Sequence, residues 1–167
     1  MKFFKRIMIL VFIVTVCGCI SNKENSSQLL TSIVNEYQDH EGYDEKEYPL
    51  GLFTKKFYQS EADFAKTILT KLSEVSEMAL SETEVISLKL LKFKLKDQID
   101  YFTYERFLNP LLSDAGFHSN LNYSVRPLSS YKAAKNYLNK LNAIPVFVDQ
   151  HFVNLREGLE KGVSQPK

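Results

Sequence analysis

At 167 residues, 44% hydrophobic and 25% charged, with a formal net charge of +1, the chain has the composition of one globular domain and not of a disordered tail. Residues 1–18, read below as an export leader, carry three of the 21 Lys and Arg and none of the 20 Asp and Glu, so that without them the formal charge is −2. Such a balance leaves no concentrated basic face and excludes a nucleic-acid binder.

The N terminus opens with Lys2, Lys5 and Arg6, followed by an apolar run from Ile7 to Val16 broken only by Thr15. About ten residues are too few to span a hydrocarbon core of roughly 30 Å as a helix, and they suit the h-region of a signal peptide. The run ends in Val16-Cys17-Gly18-Cys19, which resembles the bacterial lipobox, with Cys17 a mild departure where Ala, Ser or a small aliphatic residue is usual. On that resemblance, residues 1–18 are a lipoprotein signal peptide and Cys19 is the lipidated residue. Ordinary secretion or an uncleaved anchor is the alternative. Both cysteines of the chain lie in this motif, so the exported domain would contain no disulfide despite an oxidising destination. Two or more acyl chains anchor a protein durably. With Ile20 after the cysteine and no aspartate, the resemblance implies an outer-membrane lipoprotein facing the periplasm.

Residues 19–27, including the wholly polar Ser21–Ser27, read as a flexible tether. Ser27 then offers an N-cap to a first helix from Gln28 to about Asp39, with Leu29, Leu30, Ile33, Val34 and Tyr37 at helical spacing. Pro49 and Gly51 make His40–Tyr58 a long connection that packs through Leu50, Leu52, Phe53 and Phe57. Ser60 with Asp63 marks the start of a second helix, about Glu61 to Met78, carrying Phe64, Ile68, Leu72 and Val75 on one stripe. Ser81 with Glu84 is a cleaner capping box. It opens a third helix that runs through Val85, Leu88, Leu91, Leu95, Ile99 and Phe102 to about Phe107. Lys89, Lys92, Lys94 and Lys96 spread round this helix as a solvated face.

Leu111–Pro127 is irregular: Gly116 marks a turn, Asn120, Asn122 and Pro127 oppose a helix, and a short extended piece fits Tyr123–Val125. Ser129 and Ser130 cap a fourth helix with Tyr131, Ala134, Leu138 and Leu141. Pro145 suits the first turn of a fifth, whose buried side would hold Phe147, Phe152, Leu155 and Leu159. Gly158 is tolerated near its end and Gly162 terminates it. The fold class is mainly α, an irregular multi-helix domain over residues 28–167 and not a simple bundle.

No arrangement of residues announces chemistry. His40, His118 and His151 fall in different elements with no pair one helical turn apart, so no metal site is expected and a surface or capping role is the default for each. There is no G-x-S-x-G, no G-x-G-x-x-G and no G-x-x-x-x-G-K-[ST]. Asp44-Glu45 and Glu82/Glu84 read as solvent-facing or capping acids. Arg156-Glu157 beside Gly158 is the one polar cluster that could face a groove or an interface, against the plainer reading of a surface ion pair. No catalytic residue is assigned.

One family resemblance is carried by Tyr137-Leu138, Leu141, Ile144-Pro145, Asp149-Gln150 and above all Leu155-Arg156-Glu157-Gly158-Leu159, closing in Gly162-Val163-Ser164-Gln165-Pro166. Leu80-Ser81, Leu90-Leu91, and Asn109-Pro110-Leu111 with Gly116 and His118 add looser support. In these the chain resembles the N-terminal part of the bacterial family called domain of unknown function 885. That resemblance implies a larger, mainly helical fold similar to zinc metallopeptidases, with the metal ligands and a glutamate base in a downstream H-E-x-x-P-G-H segment. The segment is absent from these 167 residues, so zinc is expected only where the downstream part is present. The resemblance therefore implies an N-terminal fragment inactive by itself, whose partner is the missing C-terminal catalytic body. The alternative is a stand-alone lipid-anchored helical module that binds a protein or peptide.

Overall fold

The structure, a computed structural model, describes residues 25–111, 116–120 and 128–163. The predicted leader over 1–18, Cys19, the predicted tether up to residue 24, the extended piece predicted around Tyr123–Val125 and the closing Ser164-Gln165-Pro166 lie outside the described residues. Within them every regular element is helical: α1 over residues 25–38, α2 Lys55–Leu72, α3 Glu82–Thr103, the short α4 Phe117–Asn120 and α5 Tyr131–Glu160, with single 3-10 turns at Glu77–Ala79 and Arg106–Leu108. The class is mainly α, as the sequence predicts.

The chain divides into two compact units. Among the described residues, one comprises the chain from residue 25 to His40 with Ala65–Lys96, the other Glu41–Phe64 with those from Asp97 on. The first unit is built on an apolar core of Leu30 and Ile33 from α1, Ala65, Ile68 and Leu72 from α2, Val75, and Leu88, Leu91 and Leu95 from α3, all buried. Each fully buried Leu or Ile contributes about 1.5–3 kcal/mol relative to exposure. The predicted capping box opens α3: the Ser81 amide donates to Glu84 Oε2 at 2.7 Å, and the Glu84 amide donates to Ser81 Oγ at 3.4 Å. The Ser27 hydroxyl also donates to the Glu84 carboxylate. Ser27 is thus no N-cap, because α1 is already helical at residue 25.

Other boundaries move for local reasons. Helix α2 starts at Lys55 and not near Glu61, because Thr54 Oγ1 accepts from the Phe57 amide at 3.2 Å. The Ser60 hydroxyl instead donates back to the Phe57 carbonyl at 2.7 Å. Helix α3 ends at Thr103, short of Phe107, where Glu105 enters the left-handed region at φ 49°. Helix α4 follows Gly116 despite Asn120, its Phe117 amide donating to the Pro110 carbonyl at 3.2 Å.

The largest departure concerns the predicted fourth and fifth helices, which form one 30-residue helix, α5, with Pro145 inside it. Ser130 caps it as predicted, accepting from the Ala133 amide at 3.1 Å. Proline removes one N–H donor to the carbonyl of Leu141. Both Leu141 and Pro145 are exposed, where water can replace the lost donor. At the other end the Val163 amide donates to the Gly158 carbonyl at 2.8 Å and the Gly162 amide to Leu159 at 3.1 Å, with Gly162 at φ 77°. This is a Schellman stop, and it fits the predicted role of Gly162.

Candidate functional site: the Phe53–His151 cleft

In the second unit the side of α5 that turns inward keeps only Phe147 of the predicted row of Phe147, Phe152, Leu155 and Leu159. It consists of Phe147, His151, Asn154 and Gly158, spaced four, three and four residues apart as one helical stripe. Phe152 and Leu159 are instead 44% and 68% exposed. The polar members are inside because they face backbone. The Phe53 amide donates to Gln150 Oε1 at 2.6 Å, and Asn154 Nδ2 donates to the Phe53 carbonyl at 2.8 Å. Two amide side chains one turn apart therefore satisfy both backbone groups of a loop residue, which would be costly to bury unpaired. Gly158 is inside for want of space: a Cβ there would stand 2.6 Å from the Leu108 carbonyl oxygen. Glycine at this place in the Leu155–Leu159 motif is a packing requirement, more than the mere tolerance that helix propensity implies.

His151 corrects the expectation of a surface or capping histidine. It is 4% exposed, and neither ring nitrogen has a hydrogen-bond partner among the described residues. Its neighbours are rings: Phe117 stacked at 4.4 Å and 16°, Phe53 at 4.5 Å, and Phe147 edge-on at 4.7 Å. Burial disfavours the imidazolium and pushes its pKa down to about 4, so the ring is neutral near pH 7. His151, Phe53, Phe117 and Phe147 line a cleft of about 530 Å³ together with Tyr58 and Tyr101. Tyr58 stacks on Phe107 at 5.0 Å and meets Tyr101 at 5.2 Å. Its hydroxyl is pushed well above the usual phenol range by burial and then by Tyr101.

Beside these rings lies a ring of alternating charge. Lys55 Nζ stands 2.6 Å from Glu157 Oε1 and 3.7 Å from Glu105, while Lys161 Nζ stands 2.6 Å from Glu105 and 2.9 Å from Glu157. Hydrogen bonds from Lys55 and Lys161 hold the Glu157 carboxyl below its ordinary range, and Glu105 and Glu157 raise Lys161. These pairs are part-exposed and solvent-screened, so they add little to stability. Of the cluster singled out in sequence, Glu157 is therefore in an ion pair, though not with Arg156. Arg156 is exposed and pairs with no acid among the described residues.

The sequence profile of the bacterial proteins of unknown function (DUF885) matches residues 36–167. The chain belongs to the DUF885 family. No curated protein and no solved structure matches it.

In this DUF885 chain three residues that carried the family resemblance make specific contacts within the second unit: Gln150 holds Phe53, Gly158 admits Leu108, and Glu157 ties Lys55 to Lys161. Among the described residues, no three His, Cys, Asp or Glu side chains come together as a metal site would require, and the nitrogens of His151 are sealed from solvent. The geometry suits packing and the binding of apolar or aromatic groups. Sequence reasoning missed His151, Asn154 and Gln150 as a set. Their common helical phase with Phe147 was the available signal, masked by their polarity.

Proposed function

We propose that this DUF885 chain is the N-terminal, lipid-anchored portion of an exported metallopeptidase-like protein, and that it serves as a docking wall for the catalytic body without reacting itself. The observation that carries this reading is the outer side of α5. Leu138, Pro145, Phe152 and Leu159 recur every seven residues along it, all exposed, with Val146 and Val153 alongside at 51% and 60% exposure. A helix whose inner side already packs on its own unit, and which presents a second apolar seam to solvent, fits a further partner. Zinc would belong to that partner, since the residues described here do not fit a metal site. The lipobox-like Val16–Cys19 supplies the anchor on this reading.

A pull-down tests it, using the H-E-x-x-P-G-H-bearing part of a longer DUF885 protein expressed separately. The wild-type chain should retain that part, and Phe152→Asp with Leu159→Asp should weaken binding by about tenfold or more, as expected for losing two buried apolar anchors. Equal retention of wild type and variant, or none by either, overturns the proposal. The aromatic cleft favours the second reading, a stand-alone module binding an apolar peptide side chain. That reading predicts binding sensitive to Phe53 and Tyr101 and indifferent to Phe152.

A further inference from the structure

Helix α3 is apolar on two opposite sides within the first unit. Its inner side, Leu88, Leu91 and Leu95, is buried in the core. Its outer side carries Ile86, Leu90 and Phe93, which are 66%, 65% and 71% exposed. At 100° per residue these three fall within a sector of about 60° facing away from the core. The same arithmetic sets Lys89 and Lys96 along one border of the sector and Lys94 along the other. Neither Lys89 nor Lys96 pairs with an acid among the described residues, while Lys94 Nζ sits 5.5 Å from the Tyr37 ring. Lys92, the fourth lysine, points off the sector and meets Glu77 at 3.4 Å. Glu82 lies at the N-terminal end of the sector, and the next acid on it, Asp97, is bonded to Arg106 at 2.7 Å. The solvated lysine face inferred from sequence is therefore a border around exposed apolar groups.

We propose that this side of α3 rests on a lipid surface, with Ile86, Leu90 and Phe93 entering the headgroup–acyl boundary and Lys89, Lys94 and Lys96 meeting anionic headgroups. An apolar centre with lysines on both flanks is the arrangement of an interfacial helix, where long basic side chains keep their stems in the apolar layer and their heads at the phosphates. Among the described residues no helix is long and apolar enough to cross a membrane; the contact proposed for α3 lies along the surface. The inference rests on the lipid anchor proposed above: Asn25, in the same unit, is six residues from Cys19, and so within about 20 Å of the acylated position even when fully extended. An anchored chain therefore holds α3 close to the bilayer.

The chain has no tryptophan, so Phe93→Trp introduces a single fluorescent reporter at the centre of the sector, and Tyr131→Trp, at an 85% exposed site in the other unit, serves as control. Each variant is mixed with vesicles of phosphatidylethanolamine and phosphatidylglycerol with brominated acyl chains, and palmitate labelling of the same preparations reports acylation separately. The reporter at position 93 should shift to the blue and be quenched about twofold or more, the control should not, and adding Lys89→Glu with Lys96→Glu should abolish the effect. Quenching without palmitate supports the α3 contact and sinks the anchor. Palmitate incorporation with an unquenched reporter, or a reporter shielded by co-purified protein in the absence of lipid, overturns the α3 proposal and leaves the anchor standing.

Discussion

His151 makes the stability of the second unit depend on pH. In the unfolded chain its imidazole takes a proton near pH 6.5, while burial among Phe53, Phe117 and Phe147 lowers the folded pKa to about 4. Between those values the unfolded state binds more protons than the folded one, so stability falls as pH falls. The contribution is fully present above about 6.5, is reduced by about 2 kcal/mol at pH 5 and by about 3 kcal/mol at pH 4, and changes little below that. Urea denaturation at pH 7 and pH 5 measures it, provided the dependence on urea concentration is unchanged. Acids such as Glu157, whose carboxyl is held low, also weaken the fold as they protonate, so the decisive comparison is with His151→Phe. That variant keeps a ring in the cluster and removes the titrating group. It should match or exceed the wild type by about 1 kcal/mol at pH 7, since an unpaired buried polar group is gone, and should lose about 2 kcal/mol less on acidification. Parallel losses in the two proteins, or an imidazole found by NMR to titrate near 6.5, would refute the buried neutral histidine.

Two further substitutions probe the same packing. Gly158→Ala gains about 1 kcal/mol of helix propensity, but its Cβ meets the Leu108 carbonyl oxygen at 2.6 Å. Overpacking of this kind costs about 1–3 kcal/mol, so the thermal midpoint should fall and not rise. Asn154→Leu preserves volume and strands the Phe53 carbonyl; a loss of about 1–3 kcal/mol is expected by denaturant titration, and an unchanged midpoint would count against the clamp.

What could be read from sequence was whatever the chain settles locally. The Ser81–Glu84 box, the Ser130 cap and the Gly162 stop form where their residue types and spacing place them, because each is satisfied within a few residues. The Leu88, Leu91 and Leu95 stripe is equally local in its period. The start of α2 was displaced because Thr54 follows an irregular, apolar approach that looked like continued loop. Pro145 was misjudged because its cost depends on exposure, which the sequence does not record. The inner side of α5 was least accessible to reading: His151, Asn154 and Gly158 are inside because of Phe53, Phe117 and Leu108, and only the folded chain brings those residues to the helix. Arg156 and Glu157 were adjacent in sequence, yet Glu157 found its cations at Lys55 and Lys161.

The clamp on Phe53 fixes a register as well as a contact. Gln150 and Asn154 engage the backbone of one residue that stands two positions before the first residue of α2. The start of α2 is therefore pinned by α5 across about a hundred positions of chain. Residues inserted before Phe53 lengthen only the connection leading to the pin, and such lengthening adds little closure entropy. A single residue inserted between Phe53 and Lys55 turns the whole of α2 by about 100°, moving Ala62, buried within the same unit, off its inward side. Tolerance to changes in length should thus switch abruptly at one loop residue.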